Sequence, residues 1–253
     1  MKSLSLLAVP GIPRIRPGDD LASILGDALD AAGIVLAERD VLVVAQKIVS
    51  KAEGRYVTLA AVEPGARACA IARDVGKDPR LVEVILRESV GVVRQRPGLM
   101  IMAHRRGWVM ANAGADRSNL DGHDDERVLL LPVDPDASAA ALAAAFAARH
   151  GVEVAVIVAD SVGRPFRNGI VGTALGAAGL PALRDQRGRP DLDGRLLEVT
   201  LTGFADQIAS AASLLLGEAN EGTPLVLVRG LEWTEPAVPA SALVRERGGD
   251  LFR

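Results

Sequence analysis

In the stretch Asp40-Val41-Leu42-Val43-Val44-Ala45-Gln46-Lys47, Val41 to Val44 are four consecutive apolar residues, mostly β-branched, and Ala45 leads into polar side chains. Such a run fits a strand covered on both faces. Gln46 and Lys47 then stand at its exit. A second run of this kind, Val154 to Ala159, delivers Asp160-Ser161 to its carboxyl end, before a loop holding Gly163, Arg164, Arg167 and Gly169. In open sheets that edge is where ligands meet polar groups.

Before the first of these strands, Leu21, Ile24, Leu25, Ala28 and Leu29 recur at helical spacing, with Asp19 or Asp20 as cap and Gly33 as stop. Two helices are expected around Ala66 to Asp74 and Pro79 to Ser89, the second opened by Asp78-Pro79. Leu99 to His104 and Trp108 to Asn112 flank Arg105-Arg106-Gly107 as a hairpin, and Asn112 to Asn119 is polar and irregular. Val128 to Val133 reads as a strand, and Asp136 to Ser138 as the cap of an alanine-rich helix ending near His150. Strands at Leu197 to Leu201 and Leu225 to Val228 bracket a helix whose face carries Phe204, Ile208, Ala211 and Leu215 and which stops at Gly217.

Composition narrows the class. The 253 residues include 29 Lys and Arg against 32 Asp and Glu, a net charge of -3, with 49% apolar residues. This is an ordinary globular chain, one large domain or two intimate ones, without the basic footprint that general nucleic-acid binding needs. Aromatics make up 3%, leaving few platforms for stacked bases. The longest uncharged stretch, Asn168 to Leu183, is too short and too rich in glycine to span a bilayer. Cys69, the only cysteine, is read as a core residue in a reducing compartment, the cytoplasm fitting best. His104, His123 and His150 have no ligand spacing and read as surface or hairpin residues. Gly169, Gly172, Gly176 and Gly179 let backbones pack closely or a ligand approach.

Four polar clusters carry the chemistry, and none matches a Walker A loop, H-E-x-x-H, G-x-S-x-G or a dinucleotide fingerprint. Gln46 to Arg55 offers three cations and a hydroxyl, suited to phosphate oxygens, or else is a solvated loop. Asp116-Arg117-Ser118-Asn119 offers a carboxylate and an amide, or else ordinary turn residues. Asp160-Ser161 offers hard oxygen donors for magnesium or manganese, or else a helix cap. Gly217 to Gly222 sets two carboxylates at a helix end, where the macrodipole favours cations, so a bound cation or a solvated turn is expected.

In this order the clusters resemble the coenzyme F420-0 to L-glutamate ligase (F420-0 gamma-glutamyl ligase) family. The likeness rests on Gly11-Ile12-Pro13 with Pro17 to Asp20, Gln46 to Arg55, Asn112 to Asn119, Asp160-Ser161 with Gly163-Arg164-Pro165, Leu183-Arg184-Asp185 with Gly188, and Val228-Arg229-Gly230. The resemblance implies an α+β fold of mixed and antiparallel sheets with packed helices, two intimate subdomains, and an intertwined homodimer. It implies one ligase domain over 1–253 without the flavin-binding (nitroreductase) domain some relatives carry. It also implies a cytoplasmic enzyme that uses GTP to add γ-linked L-glutamate to the deazaflavin precursor F420-0 through an acyl phosphate, with two divalent cations, Mg2+ or Mn2+, and K+. Pro10, Gly11, Ile12, Pro13, Gln46, Lys47, Lys51, Asn119 and Leu216, Gly217, Glu218, Ala219, Asn220, Glu221, Gly222 and Thr223 would contact the nucleotide. Lys47 and Lys51 would neutralise phosphate charge, while Asp116, Asp160, Ser161 and Glu218 would hold metal. Relatives often carry Asp-Thr where Asp160-Ser161 stands, and an acidic residue in place of Gln207. Two alternatives remain: an amino-acid ligase acting on another phosphorylated acid, and a non-catalytic protein that binds metal and nucleotide.

Overall fold

A computed structural model describes residues 3–120 and 126–251, which leaves His123 outside the described residues. In chain order the elements are β1 (Ser5–Ala8), α1 (Leu21–Ala31), β2 (Val41–Ala45), α2 (Gln46–Ala52), β3 (Tyr56–Thr58), α3 (Ala66–Val75), α4 (Pro79–Arg87), β4 (Ser89–Arg96) and β5 (Leu99–His104). They continue with β6 (Val109–Ala111), β7 (Arg127–Leu129), α5 (Pro135–His150), β8 (Ala155–Gly163), β9 (Ile170–Ala178), β10 (Leu183–Asp185), β11 (Leu201–Gly203), α6 (Phe204–Leu216) and β12 (Leu225–Arg229). The fold is mixed α+β, with a five-stranded sheet in the order β1-β12-β2-β8-β9 beside three smaller sheets.

The opening stretch behaves as its composition dictates. Val41, Leu42, Val43 and Val44 are fully buried. Leu42 and Val44 face α1 and α5 in a core with Leu25, Leu29 and Phe146, while Val41 and Val43 face α6 with Ile208, Ala209 and Ala212. Burying each such side chain contributes roughly 1.5–3 kcal/mol, so this central strand anchors both layers. At its start Asp40, also buried, accepts a two-pronged hydrogen bond from Arg229 on β12, at 2.8 and 2.6 Å. Residues 57–130 build a core of their own from α3, α4, β5 and β7, centred on Leu59, Ile85, Met100, Met102 and Val128.

The glycine-rich stretch is strand β9, paired antiparallel with β8. Its Ala and Gly content dilutes the apolar alternation by which a strand is recognised in sequence. Its small residues serve close approach: a Cβ on Gly172 would collide with the backbone of Ala209 on α6, and one on Gly176 with the backbone of Pro135 on α5. Gly176→Ala should therefore cost at least about 2 kcal/mol of unfolding free energy in urea titrations, since the obstruction is backbone on a packed helix. A variant as stable as wild type would contradict that packing.

Several expectations are corrected. Strand β8 continues through Asp160 and Ser161 to Gly163, because Thr173, Gly172, Val171 and Ile170 of β9 keep pairing with it. The segment after β2 is a helix, α2, with Gln46, Ser50 and Lys51 buried, rather than a solvated loop. Helix α4 ends at Arg87, and Ser89 opens β4. Strand β7 stops at Leu129, after which the Leu130 amide donates to Arg55 O. Strand β11 starts only at Leu201, since the Leu197 amide is taken by Arg189 O within the preceding turn-rich hairpin. Helix α5 is capped by Asp134, whose side chain accepts from the Ala137 amide, with Pro135 in the first turn. Asp136 instead accepts from the amides of Ala177, Ala240 and Ser241, fastening the C-terminal region to β9. Cys69 is half-exposed on α3 rather than part of the core. His104 does stand in the β5–β6 hairpin, but buried at the end of β5 rather than on the surface, stacked on Trp108 at 5.0 Å. Among the described residues no helix is long and apolar enough to cross a membrane.

Candidate functional site

The sheet register builds the site. Parallel pairing sets Ala45 of β2 opposite Ala159 of β8, so the next residues, Gln46-Lys47 and Asp160-Ser161, leave the same level of the sheet side by side. On the other flank β12 runs antiparallel to β2, and Pro224 O receives the Ala45 amide, which brings the residues after α6 to that same edge. The result is a cleft of about 640 Å³, closed by Ile12 to Ile15 and by the loop Asp116 to Leu120.

Side-chain direction follows from the two-residue period of β8. Val156 and Val158 face α1 and α5, so Asp160 continues on that face, toward α2. Ile157 and Ala159 face α6, so Ser161 continues on the other, where its hydroxyl donates to Glu218 Oε1 at 2.6 Å just beyond the end of α6. Lys47 reaches across to Asp116 Oδ2 at 2.6 Å and donates to Ser118 Oγ at 2.9 Å. Ser118 closes the turn by donating its amide and hydroxyl to the Asp116 carboxylate, each at 2.8 Å. Lys51 donates to Asn119 O at 2.9 Å, and Asn119 Nδ2 donates to Ala219 O at 3.2 Å. Asn119 holds this position with φ 55°, a left-handed conformation that asparagine tolerates better than most residues. Four chain segments distant in sequence are thereby tied into one wall.

The charges are unevenly satisfied. Burial pushes Asp160 up to about 6, helped by the neighbouring Asp116 carboxylate and opposed by its bond from the Ser161 amide, by Lys47 and by Gln46. Burial acts on Asp116 in the same direction, but the hydrogen bond and charge of Lys47 and the bonds from Ser118 outweigh it and hold that carboxyl below the ordinary range. The site thus contains one carboxylate matched by a lysine and one short of positive charge. A hard cation fits that deficit, because Asp160, Asp116, Ser161 and Glu218 all line the cleft and all present oxygen. Among the described residues no three Asp, Glu, His or Cys side chains are grouped closely enough to hold an ion by themselves. Water and substrate oxygens would have to complete the shell, the arrangement magnesium favours.

Of the residues expected here, Ile12, Pro13, Gln46, Lys47, Lys51, Asp116, Asn119, Asp160, Ser161 and the whole segment from Leu216 to Thr223 line the cleft. Pro10 and Gly11 do not: both are exposed, on a turn where Gly11 takes φ 79° before the chain enters the cleft. Arg14, Ser118 and Ser213 also line it and were not anticipated. Ser118 lies between two residues that were, whereas Arg14 and Ser213 carry no local signal that distinguishes them from surface residues.

Fold and cleft define a class: an α+β protein whose sheet edge gathers lysines, carboxylates and hydroxyls around room for a polyanion. Residues 11–230 match the family described as F420-0:Gamma-glutamyl ligase. Relatives of the same kind include a protein named Coenzyme F420:L-glutamate ligase from Methanopyrus kandleri, 45% identical over 100% of this chain and 99% of its own length. Proteins of that name from Methanothermobacter thermautotrophicus and Haloarcula marismortui are each 43% identical over 99% of this chain, covering 99% and 96% of their own lengths. The chain belongs to the F420-0:gamma-glutamyl ligase family.

Proposed function

We propose that this protein is a GTP-dependent ligase that forms γ-linked amide bonds between L-glutamate and the deazaflavin precursor F420-0. The observation that carries this reading is the convergence of Lys47, Lys51, Asp116, Asp160 and Glu218 on one cleft at the sheet edge, in a chain of this family. The nucleotide's base and sugar would lie along Ile12-Pro13 and the loop from Leu216 to Thr223, with Gln46 and Asn119 as polar contacts. The triphosphate would point toward Lys47, Lys51 and Asp160.

The energetic problem is like charge against like charge. A carboxylate attacking a phosphoryl group brings negative charges to about 4 Å, where each unit repulsion is worth roughly 4 kcal/mol at an effective dielectric near 20. Lys47 and Lys51 offset part of it. Two divalent cations, Mg2+ or Mn2+, held by Asp116, Asp160, Ser161 and Glu218, with K+ as a further ion, would supply the rest as Lewis acids. The acceptor's carboxylate takes the γ-phosphoryl of GTP, giving an acyl phosphate and GDP. The glutamate amine then displaces inorganic phosphate from the acyl carbon and forms the amide. In this scheme no side chain serves as a nucleophile; the chain positions groups and neutralises charge.

We assign the chain a single ligase domain over 1–253, acting in the cytoplasm as a homodimer. An arm between β10 and β11 carries Leu192, Leu196 and Val199 exposed within eight residues, and burying them against a second copy would be favourable, which supports the dimer. The test is product mass: protein incubated with GTP, Mg2+, F420-0 and L-glutamate should yield acceptor enlarged by whole glutamyl units. Chelation by EDTA should abolish the product, and added Mg2+ or Mn2+ should restore it. Product formed at full rate in EDTA would remove the cations from the scheme. Glutamyl transfer to a different phosphorylated acid but not to F420-0 would establish the alternative ligase, and tight GTP binding without product a non-catalytic role.

A further inference from the structure

Among the described residues four carboxylates line the cleft, those of Asp116, Asp160, Glu218 and Glu221. Three belong to its phosphate end: Asp116 is paired with Lys47, Asp160 lies near both, and Glu218 accepts from the Ser161 hydroxyl next to it. Glu221 is held differently. Its Oε2 accepts from the Ala219 amide at 2.8 Å, and bonds from that amide, from its own and from that of Glu218 keep the carboxyl below the ordinary range. No lysine or arginine contributes to that shift. The side chain folds over Gly217, where a Cβ would collide with the Glu221 carboxylate. Gly217 turns there at φ 72° and ψ 177°, a conformation open essentially to glycine alone. The carboxylate is therefore ionised and fixed by backbone, with capacity to spare, since a carboxylate accepts at about four positions.

Apolar surface flanks the same loop. The Val9 amide donates to Leu225 O at 3.0 Å, continuing the antiparallel pairing of β1 with β12, so the residues just after Val9 and just before Leu225 leave one edge of the sheet together. Ile12 and Pro13 on the first of these segments, and Leu216 at the end of α6, also line the cleft. A planar ring seated among them presents its edge to the loop. The edge of guanine carries two adjacent donors, N1–H and N2–H, which match the two oxygens of a carboxylate. At the same positions adenine carries a lone pair, which a carboxylate repels, and a C–H. We propose that Glu221 selects the nucleotide's base, its carboxylate accepting from N1–H and N2–H of guanine. This rests on the GTP-dependent reaction proposed above and names the side chain that sets its nucleotide preference. A site built to bond a donor rejects the analogue lacking it, because its own acceptor is then left unpaired.

The experiment is equilibrium binding of GTP, ITP, XTP and ATP, each with Mg2+, to wild-type protein, Glu221→Gln and Glu221→Ala, alongside thermal unfolding. Wild type should bind GTP at least about 10-fold more tightly than ITP, which lacks the N2 donor, and ATP more weakly still. Glu221→Gln keeps an oxygen for the Ala219 amide and for N1–H but turns an NH2 toward position 2 of the base, where xanthine carries a carbonyl. Its affinity for GTP should fall and that for XTP rise, moving the ratio of the two by at least about 100-fold, with the unfolding midpoint unchanged. Glu221→Ala should bind GTP and ITP equally. A GTP-to-XTP ratio that moves less, or a loss of GTP affinity without the gain for XTP, would overturn the assignment and leave Glu221 as a residue that only orders the loop. Wild type that binds no GTP, or binds ATP as tightly, overturns the proposed GTP dependence and this role with it, whereas wild type that prefers GTP with Glu221→Gln unaltered overturns the role alone.

Discussion

Asp160→Asn should lose turnover by about 100- to 1000-fold, the scale seen when one preorganised electrostatic group is removed from a reaction centre. The same variant, free of metal, should be more stable than wild type at neutral pH. The amide has nearly the shape of the carboxyl and can still accept from the Ser161 amide, so the loss is confined to the contact with Gln46 and the attraction of Lys47, which burial of the charge outweighs. What changes is charge. Burial raises Asp160 from an ordinary 3.8 to about 6, which means that the folded protein binds this proton more tightly than the unfolded chain. Its favourable contribution is therefore complete below about pH 4 and is lost as pH rises through about 6. At pH 7 the ionised group costs about 1–3 kcal/mol, the lower part of that range allowing for its partial exposure to the cleft. Urea titrations of both proteins in EDTA at pH 4.5 and 7.5 check this: the stability advantage of Asp160→Asn should be larger at the higher pH, by about 1–2 kcal/mol. An active variant, or one destabilised at pH 7.5, would remove Asp160 from the role given to it.

Lys47→Met carries the second large effect. The lysine touches the Asp116 carboxylate at 2.6 Å and the Ser118 hydroxyl at 2.9 Å, so its loss frees the loop that shapes the cleft as well as a phosphate contact. Asp116 and Asp160 would then face one another with less opposing charge. We expect kcat/KM for GTP to fall about 100-fold or more. Part of that fall should appear as weaker GTP binding measured directly, because a ground-state cation contact is lost along with transition-state stabilisation. Turnover within about 5-fold of wild type would show that the lysine serves only to order the loop.

How far the sequence leads depends on the kind of signal. The central strand is legible because Val41 to Val44 are apolar without interruption and mostly β-branched, which favours a strand covered on both faces. Helix α4 is legible from Asp78-Pro79, a cap and first-turn proline. Strand β9 is not, because Gly172, Gly176 and the alanines between them were kept small for α5 and α6, and that requirement erases the usual alternation. The extension of β8 through Asp160 is hidden for the same reason, since its pairing partner lies in that stretch.

The site divides similarly. Each polar cluster can be found alone, but the ion pair of Lys47 with Asp116, 69 positions apart, exists only once β2 and β8 are parallel neighbours and the loop after β6 folds over them. The charge deficit at Asp160 is a property of the assembled cleft.

The most direct test is phosphate release from GTP by the wild-type protein with Mg2+, in the complete mixture and with F420-0 or L-glutamate omitted singly. Release should need the complete mixture and match amide formed one for one. Phosphate released at the same rate without the acceptor and the amino acid, or amide formed with GTP left intact, would contradict it.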